Sequence, residues 1–365
     1  MPLIRLLAVA AALLGCNIAA GTEKVTGGYY VSENWGMDKL PAGKIDFAAY
    51  NFVFQAFLKA REDGSLILAP GRCPLPELVK LAHRNGAKVI ISLGGGNYQL
   101  FPQICGKPET FNRFVDGVAN FVEQNDYDGV DLDWESDISP AQGKLWGNLV
   151  LALRSKLDQI SKTKNRKIYL SVDLSCGSWF TGKIDPGILR TQPDFINLMA
   201  YDQFSQIEAG YHAALEPAAD DPLHAGYAKT LKYLTEELKI PKEKICIGLP
   251  FYAYAYENCQ RYDKIPKGDK IKKVTPMSWA EIARRTGDWK REYDPVTRAA
   301  WFTSPDGKIM IPADDPQSIS EKTAWAKANG YAGVFCWAMH HDIIMPDYSA
   351  PLARAMRQGW EKNSH

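Results

Sequence analysis

The segment Asp128-Gly129-Val130-Asp131-Leu132-Asp133-Trp134-Glu135 sets Asp131, Asp133 and Glu135 at alternate positions with apolar residues between them. On an extended strand alternate side chains share a face, and neighbours in such a row stand roughly 6.6 Å apart at their Cα atoms. Val130, Leu132 and Trp134 belong against a hydrophobic layer, so the acids point the other way, into an interior or its mouth. Three carboxylates in a poorly solvated row cannot all keep their charge cheaply; at least one takes up a proton or finds a cation. A carboxyl group kept protonated near neutral pH is what a general acid requires. A polar edge strand in open water is ruled out by the apolar residues between the acids. A hard-cation site built from the same acids is the other chemical reading, although EF-hand spacing fails from either Asp126 or Asp128.

A row of this kind needs a frame, and the chain reads as one. Short apolar runs at Val25–Ser32, Phe47–Leu58, Lys88–Leu93, Gly129–Glu135, Ile168–Leu174, Phe195–Tyr201, Ile245–Phe251 and Ala332–Trp337 are strand candidates. Amphipathic stretches alternate with them at Pro74–Asn85, Glu109–Gln124, Pro140–Ile160, His224–Leu238 and Ser318–Asn329, and a last helix is expected at Ala350–Trp360. Continuously apolar strands suit a parallel sheet covered on both faces. Eight strands alternating with helices read as an α/β fold, a (β/α)8 TIM-type barrel. An open doubly wound sheet lacks its Gly-x-Gly-x-x-Gly signature after the first strand. The expected organisation is a barrel over 21–251 and 312–365. A small α+β insertion is expected over 252–311, between strands seven and eight, with a helix at Met277–Arg285 and strands at Ala299–Phe302 and Lys308–Ile311. It leaves from the rim where barrel active sites sit and is expected to wall the cleft.

Composition excludes other classes. Lys+Arg 43 against Asp+Glu 42 in 365 residues gives a net charge of +1, which leaves no electrostatic basis for nucleic-acid binding. A hydrophobic share of 46% with 23% charged residues is that of a globular chain. Residues 1–20 read as a secretory signal peptide: Arg5, then the apolar run Leu6 to Leu14, then small residues, too short to span a bilayer. Leu13-Leu14-Gly15-Cys16 also resembles a lipoprotein signal, in which Cys16 carries a lipid anchor. The expected location is secreted, or else lipid-anchored at the cell surface or periplasmic, and the expected state is a monomer. In an oxidising compartment Cys73 and Cys105, in polar loop-like stretches, are candidates to pair, whereas Cys176, Cys246 and Cys336 read as buried thiols. No CxxC and no zinc-type His spacing occurs, so neither metal nor cofactor is expected.

The acid row, as D-x-x-D-x-D-x-E with Gly129 and Trp134 in place, resembles the family 18 glycoside hydrolases, the chitinase family. The resemblance extends along nearly all of the chain after residue 20. It includes Gly28-Tyr29-Tyr30, Ser92-Leu93-Gly94-Gly95, Met199-Ala200-Tyr201-Asp202, Gly248-Leu249-Pro250-Phe251-Tyr252 and Gly333 to Trp337. It implies that Glu135 protonates the glycosidic oxygen and later activates water. By the same resemblance Asp133 holds the substrate's acetamido group, Asp131 biases the charge of Asp133, and Tyr201 donates to the acetamido oxygen. Asp202 contacts the sugar, Trp337 forms an apolar floor, and Met199, Tyr30 and Trp134 are further expected substrate contacts. Such enzymes depart from the two-carboxylate scheme, because the substrate's own acetamido oxygen is the nucleophile. Two departures touch the subsites: Ser136-Asp137 follows Glu135 where the family often has Tyr-Pro, and Gln203-Phe204-Ser205 replaces an aromatic, Gly-containing turn. Trp35, Tyr98, Trp179 and Trp301 are candidate stacking aromatics. The implied function is a secreted retaining chitinase acting on N-acetylglucosamine oligosaccharides. Alternatives are an endo-β-N-acetylglucosaminidase on other 2-acetamido glycans and a non-catalytic chitin-oligosaccharide-binding lectin of the same fold.

Overall fold

A computed structural model describes residues 23–96, 98–203, 207–265 and 273–362. The expected signal segment with Cys16, and Phe204 and Ser205 of the departing turn, lie outside the described residues.

Eight parallel strands form the frame: Val25–Val31, Phe52–Ala60, Lys88–Gly94, Gly129–Asp133, Tyr169–Ser175, Phe195–Met199, Ile245–Pro250 and Gly333–Trp337. We number them as barrel strands one to eight. Each pairs with its neighbour, and strand one pairs with both strand two and strand eight, so the sheet closes. Helices Pro76–Arg84, Pro108–Gln124, Pro140–Lys164, Pro316–Ala328 and Pro351–Glu361 lie among the connections. This is the TIM-type (β/α)8 fold.

Side-chain alternation explains how the strands serve two cores. Outward residues such as Val53, Val89, Val130, Leu132 and Val172 join the apolar layer beneath the helices. Inward residues build the barrel interior, whose lower level is aromatic: Phe52, Tyr169 and Phe195 pack with ring centroids 5.2 to 5.7 Å apart. Above that level the interior turns polar, with Ser92, Asp131, Ser171, Asp173 and Asn197 all buried. A closed sheet leaves this polar set one outlet, at the carboxyl ends of the strands.

Some boundaries shift from expectation. Residues 47–49 are turn rather than strand, because the Asp46 carboxylate accepts the Ala48 N–H at 3.1 Å and starts the chain as an Asx turn. The helix expected from His224 begins only at Ala228, since His224 has φ +48°, outside helical space. It continues as a π-helical turn over Tyr233–Glu237.

Between strands seven and eight lies a five-stranded antiparallel sheet of Tyr252–Glu257, Lys273–Ser278, Lys290–Asp294, Ala299–Thr303 and Ile309–Ala313, with helix Trp279–Arg285. Two of the three strands not foreseen, Lys273–Ser278 and Lys290–Asp294, are its edges. Lys290–Asp294 is charged and Lys273–Ser278 is largely exposed and carries Pro276, both devices of edges that resist pairing, so neither shows a clean apolar alternation.

The expected Cys73–Cys105 pairing is not formed. Both are free thiols packed in the apolar layer around the barrel, where burial pushes each up to about 12. The loop-like polarity of their sequence neighbours concealed that burial.

Candidate active site

Strand four carries Asp131 and Asp133 inward and ends there, leaving Glu135 just above its carboxyl end. The turn after strand three makes room. Gly94 has φ +106°, and a Cβ there would stand 2.2 Å from the Asp133 carbonyl oxygen, so only glycine fits. The Gly95 N–H then donates to that carbonyl at 3.1 Å, and a Cβ at Gly96 would lie 3.3 Å from either carboxylate oxygen of Glu135.

Asp131 is fully buried and richly supplied. Ser171 and Ser92 donate to its two oxygens at 2.6 and 2.7 Å, with the Tyr29 hydroxyl at 2.9 Å and the Asn197 amide at 3.3 Å. Burial raises its pKa while these donors oppose the rise. Asp133 has no such supply, and its Oδ1 is buried without a partner. Burial, then the charges of Asp173, Glu135 and Asp131, push it well above the carboxylate range, and it shares a hydrogen bond with Glu135. Glu135 is also raised, chiefly by burial, with the Asp133 hydrogen bond acting in the other direction. One hydrogen held between these two acids is what low dielectric and mutual repulsion dictate.

The remaining wall comes from strands six and eight and from the sheet Tyr252–Ala313. Tyr201 follows strand six, and burial holds its hydroxyl protonated far above neutral pH. Asp202 sits at φ +60°, accepts from the Tyr254 hydroxyl at 2.8 Å and lies 3.5 Å from His212 Nδ1. Burial alone would raise Asp202, but His212, Tyr252 and Tyr254 outweigh it and keep the carboxyl below its usual range. Trp337, at the end of strand eight, stacks near Phe57 at 5.8 Å and contacts Tyr29 at 5.5 Å. The outlet is a cleft of about 1430 Å³ lined by Asp133, Glu135, Met199, Tyr201, Asp202 and Trp337, among others. Among the described residues no group of three His, Cys, Asp or Glu is placed to hold a metal ion.

Two expected contacts are corrected. Tyr30 and Trp134 do not reach the cleft: alternation turns both outward, against the helix layer. Trp134 stacks on Phe101 at 4.7 Å and donates to Ser136 Oγ at 2.7 Å, while the inward place on strand one goes to Tyr29. Of the stacking candidates, Trp35 and Trp179 line the cleft, 48% and 42% exposed, whereas Tyr98 and Trp301 are core. Sequence reading missed Tyr29, Phe57, Asp173 and Tyr252 as cleft residues. Asp173 had a signal: it shares inward parity with Ser171 in an otherwise apolar strand.

An acid row inside a barrel mouth, beside an aromatic floor, can deliver a proton to a bound leaving group. The family model for glycosyl hydrolases family 18 matches residues 25–342. The chain belongs to that family. This member of family 18 is a glycoside hydrolase. It is 25% identical over 374 residues to chitinase 1 of Aphanocladium album, covering 90% of this chain and 86% of that protein. Its fold matches a class V chitinase from Nicotiana tobaccum in complex with NAG4, with a TM-score of 0.80 at 22% identity over 93% of this chain and 99% of that one. A chitinase-like agglutinin from Robinia pseudoacacia matches with a TM-score of 0.79 at 19% identity, over 92% and 99% of the two chains.

Proposed function

We propose that the chain is an exported chitinase that hydrolyses β-1,4 bonds between N-acetylglucosamine units with retention of configuration. The observation that carries this is the neighbouring pair of acids Asp133 and Glu135 lining an open cleft, both raised by burial and within hydrogen-bonding reach of each other. A double displacement on two carboxylates sets them on either side of the scissile bond, roughly 5 to 5.5 Å apart. Two acids hydrogen-bonded to each other do not divide that labour, so the nucleophile comes from the substrate. Glu135 gives its hydrogen to the glycosidic oxygen as the C1–O bond breaks. The acetamido oxygen bonds C1, forming an oxazolinium ion whose N–H is held by Asp133 and whose carbonyl oxygen had accepted from Tyr201. Water then attacks C1, Glu135 takes its proton, and the ring opens to the acetamide with the β configuration restored. Asp131 acts through Asp133, Asp202 and Met199 line the sugar's subsite, and Trp337 supports its apolar face. The stretch 252–311 is proposed as an insertion subdomain whose Tyr252 walls that subsite and whose Tyr254 holds Asp202.

Two measurements test the reading. Glu135→Gln should reduce turnover of N-acetylglucosamine oligomers by roughly 10²–10⁴-fold while leaving their binding intact, the range a general acid supplies. Retained turnover would overturn the role of the acid. Substrates without the 2-acetamido group should be inert, and hydrolysis of plain β-1,4-glucan would refute substrate assistance. Oligomer binding with no cleavage by the intact chain at any pH from about 4 to 8 would mark a lectin, as the agglutinin relative's fold allows.

A further inference from the structure

Strand five brings a fourth acid into the barrel that the proposed reaction does not use. Asp173 is 4% exposed and borders the cleft. Both of its oxygens lie against one atom, the Tyr29 hydroxyl oxygen, at 2.9 and 2.7 Å, and that oxygen also lies 2.9 Å from Asp131 Oδ2. Asn197 Nδ2 approaches Tyr29 from the other side at 3.2 Å. Among the described residues, the ionisable groups that act on Asp173 include Asp131, Asp133, Glu135, Tyr29, Tyr201 and Cys246, from strands one, four and seven and the turns above strands four and six. All six are acids, phenols or a thiol.

The donors around Asp131 and Asp173 differ in number. Asp131 receives two serine hydroxyls and an amide, the surroundings of a carboxylate. Asp173 has the Tyr29 hydroxyl and the Asn197 amide as donors, but that amide also serves Tyr29 and Asp131, and Tyr29 has one hydrogen to give. With both acids ionised, that hydrogen would serve two carboxylates in a dry interior. A hydrogen on Asp173 removes the conflict: Asp173 donates to the Tyr29 oxygen, and Tyr29 gives its own hydrogen to Asp131. Successive bonds of this kind polarise and strengthen one another.

We propose that Asp173 is a proton-bearing positioning residue, whose hydrogen bond to Tyr29 commits the Tyr29 hydrogen to Asp131 and so leaves Asp133 free to share its hydrogen with Glu135. Burial and the neighbouring Asp131 charge favour the same neutral state of Asp173. With Asp131 fully supplied, it makes no claim on the Asp133 hydrogen, which is directed to the acid that must deliver it. This inference rests on the hydrolase reading for its kinetic arm only.

The test compares Asp173→Leu, which fills the space and removes the donor, with Asp173→Asn, whose amide can still donate to Tyr29. Misplacing catalytic groups should lower kcat of Asp173→Leu on N-acetylglucosamine oligomers by about tenfold or more with KM within about threefold, and Asp173→Asn should restore most of the loss. A purely structural role would lower Tm and leave kcat of the folded enzyme unchanged, which would overturn the proposal. Infrared spectra near pH 7 supply an arm independent of turnover and of the Leu variant's folding. The intact chain should show protonated-carboxyl carbonyl absorption to which Asp133 and the buried Asp342 also contribute, and Asp173→Asn should remove one carboxyl's share of it; identical spectra would equally overturn the proposal. If the intact chain cleaves no oligomer, the chitinase reading fails and the infrared arm alone decides the role of Asp173.

Discussion

At the scale of single residues, the site is governed by the cost of charge in a closed interior. Asp133 is raised far above an ordinary carboxylate by burial and by three neighbouring acids. A raised acid pKa means the folded state binds a proton the unfolded chain has already lost. Stability therefore falls as pH climbs from the unfolded value, near 4, toward the folded one. Asp133→Asn removes the ionisable group and keeps its shape. The variant should unfold at a higher Tm than the parent at pH 8, with a smaller difference at pH 5, where Asp133 already carries its hydrogen. Thermal melts at the two values measure this, and an equal effect at both would contradict the raised pKa. On the proposed mechanism turnover should vanish in the same variant, because an amide supplies neither a carboxylate for the oxazolinium N–H nor an acid hydrogen to share with Glu135. The gain in stability is what disarming a strained site gives.

At the scale of elements, strand ends do the positioning. Strand three stops at a glycine in the left-handed region so that Gly95 can bind the carbonyl of Asp133. Gly94→Ala forces a Cβ to 2.2 Å from that oxygen and strains the backbone. It should cost about 1–3 kcal/mol of stability and, by shifting Asp133, lower kcat more than it raises KM. Chemical denaturation and steady-state kinetics on one preparation give both numbers. Ser92-Leu93-Gly94-Gly95 carried this feature visibly, since adjacent glycines after an apolar strand announce a close backbone approach. Tyr30 and Trp134 belong to the family motif yet face outward, because the alternation that turns Asp131 and Asp133 into the barrel turns these two away from it.

At the scale of the whole molecule, the sheet between strands seven and eight is fastened to the barrel by a buried ion pair. Lys322 Nζ donates to Asp314 at 2.6 and 2.7 Å and to the Ala213 carbonyl at 2.6 Å, with both side chains about 1% exposed. Helix Pro316–Ala328, the end of strand Ile309–Ala313 and the segment carrying His212 meet there. Lys322→Ala strands a carboxylate out of water and should cost about 3–5 kcal/mol, whereas the double change Lys322→Met with Asp314→Leu should recover most of it. Unfolding midpoints of the two variants decide between them. Because Ala213 follows His212, the single variant should also weaken the hold on Asp202 and raise KM.

What the amino-acid order determined by itself was the barrel and its acid row. Both follow from local periodicity: apolar strands of a few residues, helices between them, and carboxylates at a two-residue spacing that no solvated edge would tolerate beside Val130, Leu132 and Trp134. Only the tertiary structure decided which distant side chains share the interior with that row. Asp173, Tyr29 and Asn197 come from three other strands, and their meeting depends on barrel closure and register, which no local pattern encodes. The exposed edges of the added sheet and the burial of Cys73 and Cys105 were hidden likewise, because burial is set by what packs on a segment rather than by the segment's own polarity.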